Sequence, residues 1–266
     1  MKKFSMILLL IMLLTVEASA DSKPINCKSC HEGLASQKVV HLALQAGCQF
    51  CHTALDAATV PHTQKGSVPN GLSQSQPKLC YQCHAAFTGK SVHPALLMGC
   101  TACHNPHSSP NKFLLKQPVP ELCFSCHGTG RFTKSHVHPP VHAGKCLTCH
   151  NPHASGNMKL LIKTPEETCL QCHAKVATSL HVIADSFEGN HPIGLTKPGE
   201  APLPDPAQPG QPFFCGSCHD PHSSDSVRLF LYGARKGSGL CIHCHKDVFT
   251  DATLARRKQT APKQQQ

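Results

Sequence analysis

The chain has 266 residues and a formal net charge of +10, and its 18 cysteines and 21 histidines are far above ordinary usage. Aromatic residues make up 5% of the chain, tryptophan is absent, and hydrophobic periodicity is weak, so we expect short helices joined by irregular segments. The basic charge does not predict nucleic-acid binding, because there is no clustered basic helix and the chain is predicted to be exported.

The N-terminal segment, residues 1–20, has the pattern of a secretory signal peptide. Two lysines precede an apolar run from Met6 to Leu14, and the small residues at 18–20 offer a cleavage site. The run is too short to span a bilayer, and no second apolar stretch of about 18 residues follows, so a membrane anchor is the weaker alternative. We expect a mature chain that begins at Asp21, without a transmembrane span, in the periplasm or associated with the outer membrane or the cell exterior.

All the cysteines fall into Cys-x-x-Cys pairs, and a histidine follows each pair at once. The paired cysteines are Cys27 and Cys30, Cys48 and Cys51, Cys80 and Cys83, Cys100 and Cys103, Cys123 and Cys126, Cys146 and Cys149, Cys169 and Cys172, Cys215 and Cys218, and Cys241 and Cys244. The histidines that follow them are His31, His52, His84, His104, His127, His150, His173, His219 and His245. This is the attachment pattern of c-type haem.

Other uses of cysteine explain this pattern less well. A zinc ribbon has no need of histidine beside each second cysteine, a disulfide framework needs no fixed local spacing, and a redox Cys-x-x-Cys normally occurs once. Cysteines at positions i and i+3 of a helical turn face one side and can bond both vinyl groups of one porphyrin, with the next histidine below the iron. The nine motifs therefore predict nine covalently bound haem c groups, each with its motif histidine as proximal ligand.

Internal repetition predicts how the rest of the chain is organised. The expected segments are a single-haem lead at 21–47, four two-haem repeat units at 48–250 that include a proline-rich loop at 196–212, and a disordered tail at 251–266. The chain has too few residues per haem to build a separate core around each cofactor. The predicted fold is mostly irregular with short α-helices, an elongated multihaem cytochrome c whose haem chain serves as the core. Thr164 and Pro165 predict one helix start, as cap and first residue.

Twelve histidines lie outside the motifs and are candidates for the second, distal ligand of an iron. Four follow a proline in register with the repeat, namely His62, His107, His153 and His222. Four lead a repeat unit, namely His41, His93, His138 and His191. We take His181 as the ninth candidate, with His136 as the alternative, followed by His142 and His243.

The spacing of His107 restricts its role. It follows the motif histidine His104 by three residues, so it lies on the same face of that porphyrin and cannot reach the opposite axial site. If it is a ligand, it must serve another haem, and the alternative is a surface histidine after a turn-forming proline. After signal removal only Met98 and Met158 remain as methionine ligands, so the sequence predicts bis-histidine haems of low potential.

Three segments of the chain resemble a known family. The segments from Cys100 to His127, Cys146 to His173 and Cys215 to His245 are similar to bacterial multihaem cytochromes with doubled Cys-x-x-Cys-His motifs. That group includes the periplasmic octahaem and decahaem subunits of porin–cytochrome electron conduits in metal-reducing bacteria. The resemblance implies an elongated chain of bis-histidine haems that takes electrons from an inner-membrane or periplasmic donor and passes them to an outer-membrane cytochrome or porin.

Two other function classes stay open on sequence alone. A multihaem reductase needs one iron with an open site, often marked by lysine in place of the motif histidine, whereas every motif here ends in histidine. A conductive filament of identical subunits would need self-association, with a histidine donated across the interface. We expect an electron-transfer protein and not an enzyme.

Overall fold

The computed structural model describes residues 25–178, 200–234 and 237–246. Within them the α-helices are α1 (Glu121–Phe124), α2 (Pro139–His142), α3 (Pro165–Leu170) and α4 (Gly237–Cys241). The 3-10 helices of the same residues are Cys27–Ser29, Glu32–Ala35, Leu42–Ala46, Cys48–Phe50, Pro69–Gly71, Cys80–Gln82, Pro94–Met98, Cys100–Ala102, Lys112–Leu114, Thr129–Arg131, Cys146–Thr148, Met158–Leu160, Ala174–Ala177 and Cys215–Ser217. The predicted fold class, mostly irregular with short helices, is confirmed.

Strands are equally short in these residues, with two residues each. They are β1 (Val39–Val40), β2 (Leu55–Asp56), β3 (Thr63–Gln64), β4 (Ser91–Val92), β5 (Ser108–Ser109), β6 (His136–Val137), β7 (Ala154–Ser155) and β8 (Ser223–Ser224). Strands β2 and β3 form a local antiparallel hairpin. The other pairs are β1 with β5, β4 with β7 and β6 with β8, all antiparallel and all distant in sequence.

The short helices have local causes. Gly47 and Gly99, with φ of 93° and 84°, come immediately before Cys48 and Cys100, so the backbone turns sharply into each attachment helix. Helix α3 begins as predicted, since the Thr164 hydroxyl accepts a hydrogen bond from the Glu167 amide while the Glu167 carboxylate accepts one from the Thr164 amide. The polypeptide therefore makes single turns at the motifs and is irregular between them.

Each long-range ladder continues by one backbone bond into a pair of histidines. The His41 amide donates to the His107 carbonyl at 2.8 Å, beside the β1–β5 ladder. His93 donates to His153 at 2.8 Å and His138 to His222 at 2.9 Å in the equivalent places. The histidine that leads one unit is thus held against the proline-histidine of the next.

The interior of the described chain is polar. The buried hydrophobic side chains there are Ala154, Phe213 and Ala234, whereas seven buried residues are serines. The Ser109 and Ser224 hydroxyls donate to the carbonyls of Leu115 and Phe230 at 2.5 and 2.7 Å, and Ser155 donates to Leu161 in the same way. These bonds close the loops that follow the motifs at Cys100, Cys146 and Cys215, because buried polar groups are stable only when they are paired.

The loop before Cys215 is held by its own buried carboxylate. Asp205 is 2% exposed and accepts hydrogen bonds from the amides of Ala207 and Gln208 at 2.8 and 3.2 Å. The predicted proline-rich loop is irregular from residue 200 to residue 212, while its first residues, the signal peptide and the tail lie outside the described residues. None of the described helices is long and apolar enough to cross a membrane. The division into a lead and four units stays a prediction.

Replacing Ser109 with alanine tests the polar interior. Ser109 is 2% exposed, and its hydroxyl also accepts the Asn111 amide at 3.0 Å. Its loss removes the partner of that amide and one of the two donors to the Leu115 carbonyl, the other being the Asn111 side chain. We expect Ser109→Ala to lower the free energy of unfolding by about 1–3 kcal/mol in urea denaturation of the holoprotein. The exposed Ser67 provides a control, since Ser67→Ala should change it by less than about 0.5 kcal/mol. Equal stabilities for the two variants would contradict this account of the interior.

Candidate haem-binding sites

Seven pairs of histidine rings lie close together in the described residues, and each pair joins one motif histidine to one histidine outside the motifs. The ring centres are 5.8–6.1 Å apart in every pair. The pairs are His31 with His62, His52 with His107, His84 with His41, His104 with His153, His127 with His93, His150 with His222, and His173 with His138.

This separation fits an iron between two imidazoles. Stacked rings in direct contact lie closer, as the 4.1 Å between Phe87 and His153 shows. A metal–imidazole nitrogen bond is about 2.0 Å long and each ring adds roughly 1.1 Å, so two rings on one ion lie about 6 Å apart. The donor set and its spacing therefore fit bis-histidine haem.

The pairs follow a rule along the chain. His107 faces His52 in the preceding unit and not its sequence neighbour His104. His153 and His222 likewise face His104 and His150, the first motif histidines of the preceding units. A proline-histidine thus reaches back to the first motif of the unit before it.

The histidines that lead a unit obey a second rule. His41, His93 and His138 face His84, His127 and His173, the second motif histidines of their own units. The backbone bond from His41 to His107 therefore joins two residues whose rings lie against different motif histidines. One ladder positions the candidate distal rings of both sites in a unit.

Backbone carbonyls orient the first motif histidine of each unit. Nδ1 of His52, His104, His150 and His219 lies 2.8, 2.8, 3.0 and 2.7 Å from the carbonyl oxygens of Asn70, Phe113, Lys159 and Arg228. A carbonyl oxygen can only accept, so Nδ1 carries the proton and Nε2 is left for iron.

Three of these acceptor residues have a left-handed backbone. The φ angles of Asn70, Phe113 and Lys159 are 60°, 57° and 54°. Such angles cost energy for residues with a side chain and persist where the surroundings enforce them. In the last three units the acceptor lies nine residues after the histidine, a spacing visible in the sequence only once the bond is known.

Burial favours the neutral form of the candidate distal rings. It is the main cause that lowers the pKa of His107, His138, His153 and His222. The facing histidines His52 and His104 lower the pKa of His107 and His153 further. Neutral imidazole is the form that binds a metal, so the surroundings of these rings suit ligation.

The cysteine sulfurs of successive motifs are neighbours. Each of the Cys48, Cys80, Cys123 and Cys169 thiols has a pKa raised in part by a cysteine of a neighbouring motif, namely Cys27, Cys100, Cys146 and Cys215 in that order. The remaining steps are made by Cys51 near Cys80, Cys103 near Cys123, Cys149 near Cys172 and Cys218 near Cys244. Burial, followed by these neighbours, raises the pKa of the Cys80, Cys123 and Cys218 thiols to about 11. In a haem c these sulfurs are thioethers, so their contacts show which attachment points adjoin.

The structure places seven of the predicted distal residues beside a motif histidine. His181 and His191 lie outside the described residues. Of the alternatives, His136 is an exposed residue of β6, His142 ends α2, and the His243 ring stacks on Tyr232 with 4.1 Å between ring centres. The backbone carbonyls that orient the motif histidines were not predicted, because no side chain marks them.

Comparison with known proteins supports the attachment motifs. The model of the doubled CXXCH motif family matches residues 93–132, 138–178 and 205–249. The chain is 33% identical over 133 residues to the multiheme cytochrome MtrA of Shewanella baltica (strain OS185), a match that covers 46% of this chain and 37% of the relative. The chain thus spans well under half of that relative's length.

Motifs, fold and comparisons together support a multihaem c-type cytochrome, and the paired motifs indicate covalently bound c-type haem. Within that class, the chain resembles the cytochromes of porin–cytochrome conduits, as its motifs predict.

Replacing Gly89 with alanine tests how the ladder places a distal ring. A Cβ at Gly89 would overlap the Ser155 backbone in β7, two residues from His153, whereas a Cβ at Gly156, next to the same strand, meets nothing within 4 Å. We expect Gly89→Ala to displace β7 and to convert one haem of the holoprotein to high spin, as measured by EPR. Gly156→Ala should keep every haem low-spin, and a fully low-spin Gly89→Ala protein would show that the ladder does not set the ring position.

Proposed function

We propose that this chain is a nonahaem electron-transfer protein in which every iron is bound by two histidines. The observation that carries the proposal is the set of seven histidine pairs with ring centres 5.8–6.1 Å apart, each combining a motif histidine with one outside the motifs. Haem c supplies one-electron transfer at its iron, and the polypeptide supplies the thioether sulfurs, both axial ligands and their orientation.

The histidine pairs serve as the proximal and distal ligands of seven haems. The two remaining motif histidines, His219 and His245, complete the set of nine. By the rule that a leading histidine serves the second motif of its own unit, His191 is assigned to His245. His181, the ninth candidate from the sequence, is then left for His219.

The contacts between cysteines support one linear order of haems. Neighbouring sulfurs connect every successive pair of motifs, from Cys27 to Cys48 at one end and from Cys218 to Cys244 at the other. Electrons then pass along the chain in the order of the motifs. Two thioether bonds and two axial histidines hold each haem, so the distances between neighbouring haems stay fixed. This function needs no substrate site.

The proposed place of this step is the periplasm. The signal peptide pattern supports export, and the likeness to the multiheme cytochrome MtrA supports a role between redox proteins. The donor is an inner-membrane or periplasmic redox protein, and the acceptor is an outer-membrane cytochrome, a porin–cytochrome assembly or an extracellular oxidant. The protein acts as an electron carrier and not as an enzyme.

Haem quantification combined with low-temperature EPR of the air-oxidised holoprotein tests the proposal. We expect nine haems per chain and only low-spin ferric signals, because both axial positions of each iron are filled by imidazole. A stoichiometric high-spin signal would contradict the proposal. It would favour a reductase with an open iron or a filament subunit that takes a ligand from its neighbour.

A double substitution at one ladder tests the ligand assignment. His41 and His107 are joined by a backbone bond but face His84 and His52, so they serve different irons. We expect His41→Ala and His107→Ala each to produce one high-spin haem, and the double variant to produce two, by EPR spin quantification. His136→Ala is the control and should produce none. A single high-spin haem in the double variant would show that both residues act at one iron.

A further inference from the structure

One side chain differs among three equivalent positions of the repeat. Asn105, Asn151 and Asp220 each follow a first motif histidine, and each lies two residues before a proline-histidine. The side-chain oxygen of all three accepts the amide of that histidine at 3.0 Å. The backbone role is therefore the same in the three units, while only the last unit carries a negative charge there.

The carboxylate of Asp220 lies against the ring that follows it. Asp220 Oδ1 is 3.5 Å from Nδ1 of His222, and Asp220 is 8% exposed. Nδ1 of His222 is buried and has no hydrogen-bond partner among the described residues. The Asp220 carboxylate is thus a negatively charged group close to this buried nitrogen.

The other charges around His222 do not cancel this contact. Arg131 also influences the ring, together with His150 and His138, but Asp220 has the larger effect and raises the pKa of His222, against the stronger effect of burial. His107 and His153 are influenced by burial and by other histidines, with no carboxylate contributing in the described part of the chain. Of the three distal rings, His222 is therefore the one with a carboxylate beside it among the described residues.

We propose that Asp220 is a positioning residue that lowers the reduction potential of the haem attached at Cys146 and Cys149, by acting on Nδ1 of His222. The inference depends on the proposed function, in which His150 and His222 bind this iron. A carboxylate beside the Nδ1–H of a ligand makes the imidazole a stronger donor. The stronger donor and the nearby negative charge both favour the ferric state, so the oxidised form is stabilised relative to the reduced form.

Two reciprocal substitutions test this inference. Asp220→Asn restores the side chain found in the other two units and keeps the bond to the His222 amide, so the fold is preserved. Asn151→Asp places a carboxylate beside His153, the proposed distal ligand of the haem at Cys100 and Cys103. Both variants are studied as holoproteins by spectroelectrochemical titration, with EPR to confirm the number of haems and their spin states.

Opposite shifts are expected from the two variants. In Asp220→Asn the ratio of ferrous to ferric iron at one haem should rise about threefold to tenfold at fixed potential, a tenfold change being about 59 mV for one electron. In Asn151→Asp the ratio at a different haem should fall by a similar factor. The double variant, whose total charge is unchanged, should show both shifts at once.

Asp225→Asn separates the local contact from overall charge. Asp225 is an exposed residue beside β8 whose carboxylate accepts the Ser135 hydroxyl at 2.8 Å, so its substitution removes the same charge without touching His222. Asp225→Asn should change the ratio of ferrous to ferric iron at every haem by less than about 1.5-fold at fixed potential. An equal shift in Asp225→Asn and Asp220→Asn would overturn the local role of Asp220.

The failure of this inference can be told from the failure of the proposed function. Unchanged potentials in fully low-spin Asp220→Asn and Asn151→Asp proteins would overturn the role of Asp220 and leave the bis-histidine ligation standing. A His222→Ala protein that keeps all its haems low-spin would instead overturn ligation by His222, and this inference with it.

Discussion

The arrangement of the candidate sites depends on one backbone hydrogen bond that recurs along the chain, from the amide of a unit's leading histidine to the carbonyl of the next unit's proline-histidine. Because the two residues are held side by side while their rings face different motif histidines, each bond fixes the distal sides of two sites at once. Two-residue ladders extend the bond, and buried serines such as Ser109 and Ser224 tie the following loop to it. The order of sites then follows from chain connectivity.

Within the described polypeptide, hydrogen bonds hold the segments together, and few apolar side chains are buried against one another. A domain of ordinary size buries large apolar side chains, whereas the described residues here bury three hydrophobic side chains and several serines. Porphyrins are large, flat and apolar, so a chain that surrounds them gains its hydrophobic burial from the cofactors. The polypeptide needs only turns and short bonded segments that present cysteine and histidine at fixed places. Because the helices and strands bury few apolar side chains against one another, the sequence has weak hydrophobic periodicity.

Local patterns were readable from the sequence, while long-range pairing was not. The attachment motifs, the irregular fold and the start of α3 at Thr164 depend on neighbours within a few residues, where spacing and capping rules apply. The ladders that bring His41 to His107 consist of two residues each, which is too short to leave an alternating pattern. The carbonyls of Phe113 and Lys159 that orient motif histidines belong to the backbone and carry no side-chain signal. The spacing of His107 predicted that, as a ligand, it would serve another haem, but which motif histidine it faces depended on the path of the irregular segments.

A uniform scaffold creates a problem that side chains near the ligands can solve. If every iron has two histidines and similar attachment, the ligands alone give similar potentials, and differences along the chain must come from charges and hydrogen bonds around the rings. The position before each proline-histidine suits this purpose, because its backbone role is met equally by asparagine and aspartate. Exchanging one for the other changes the charge beside a distal ring while the bond that holds the unit together is kept. In the repeat, the residues that position the proposed ligands thus differ from those that can adjust the reduction potential of a haem. Asp220 is proposed to adjust the potential.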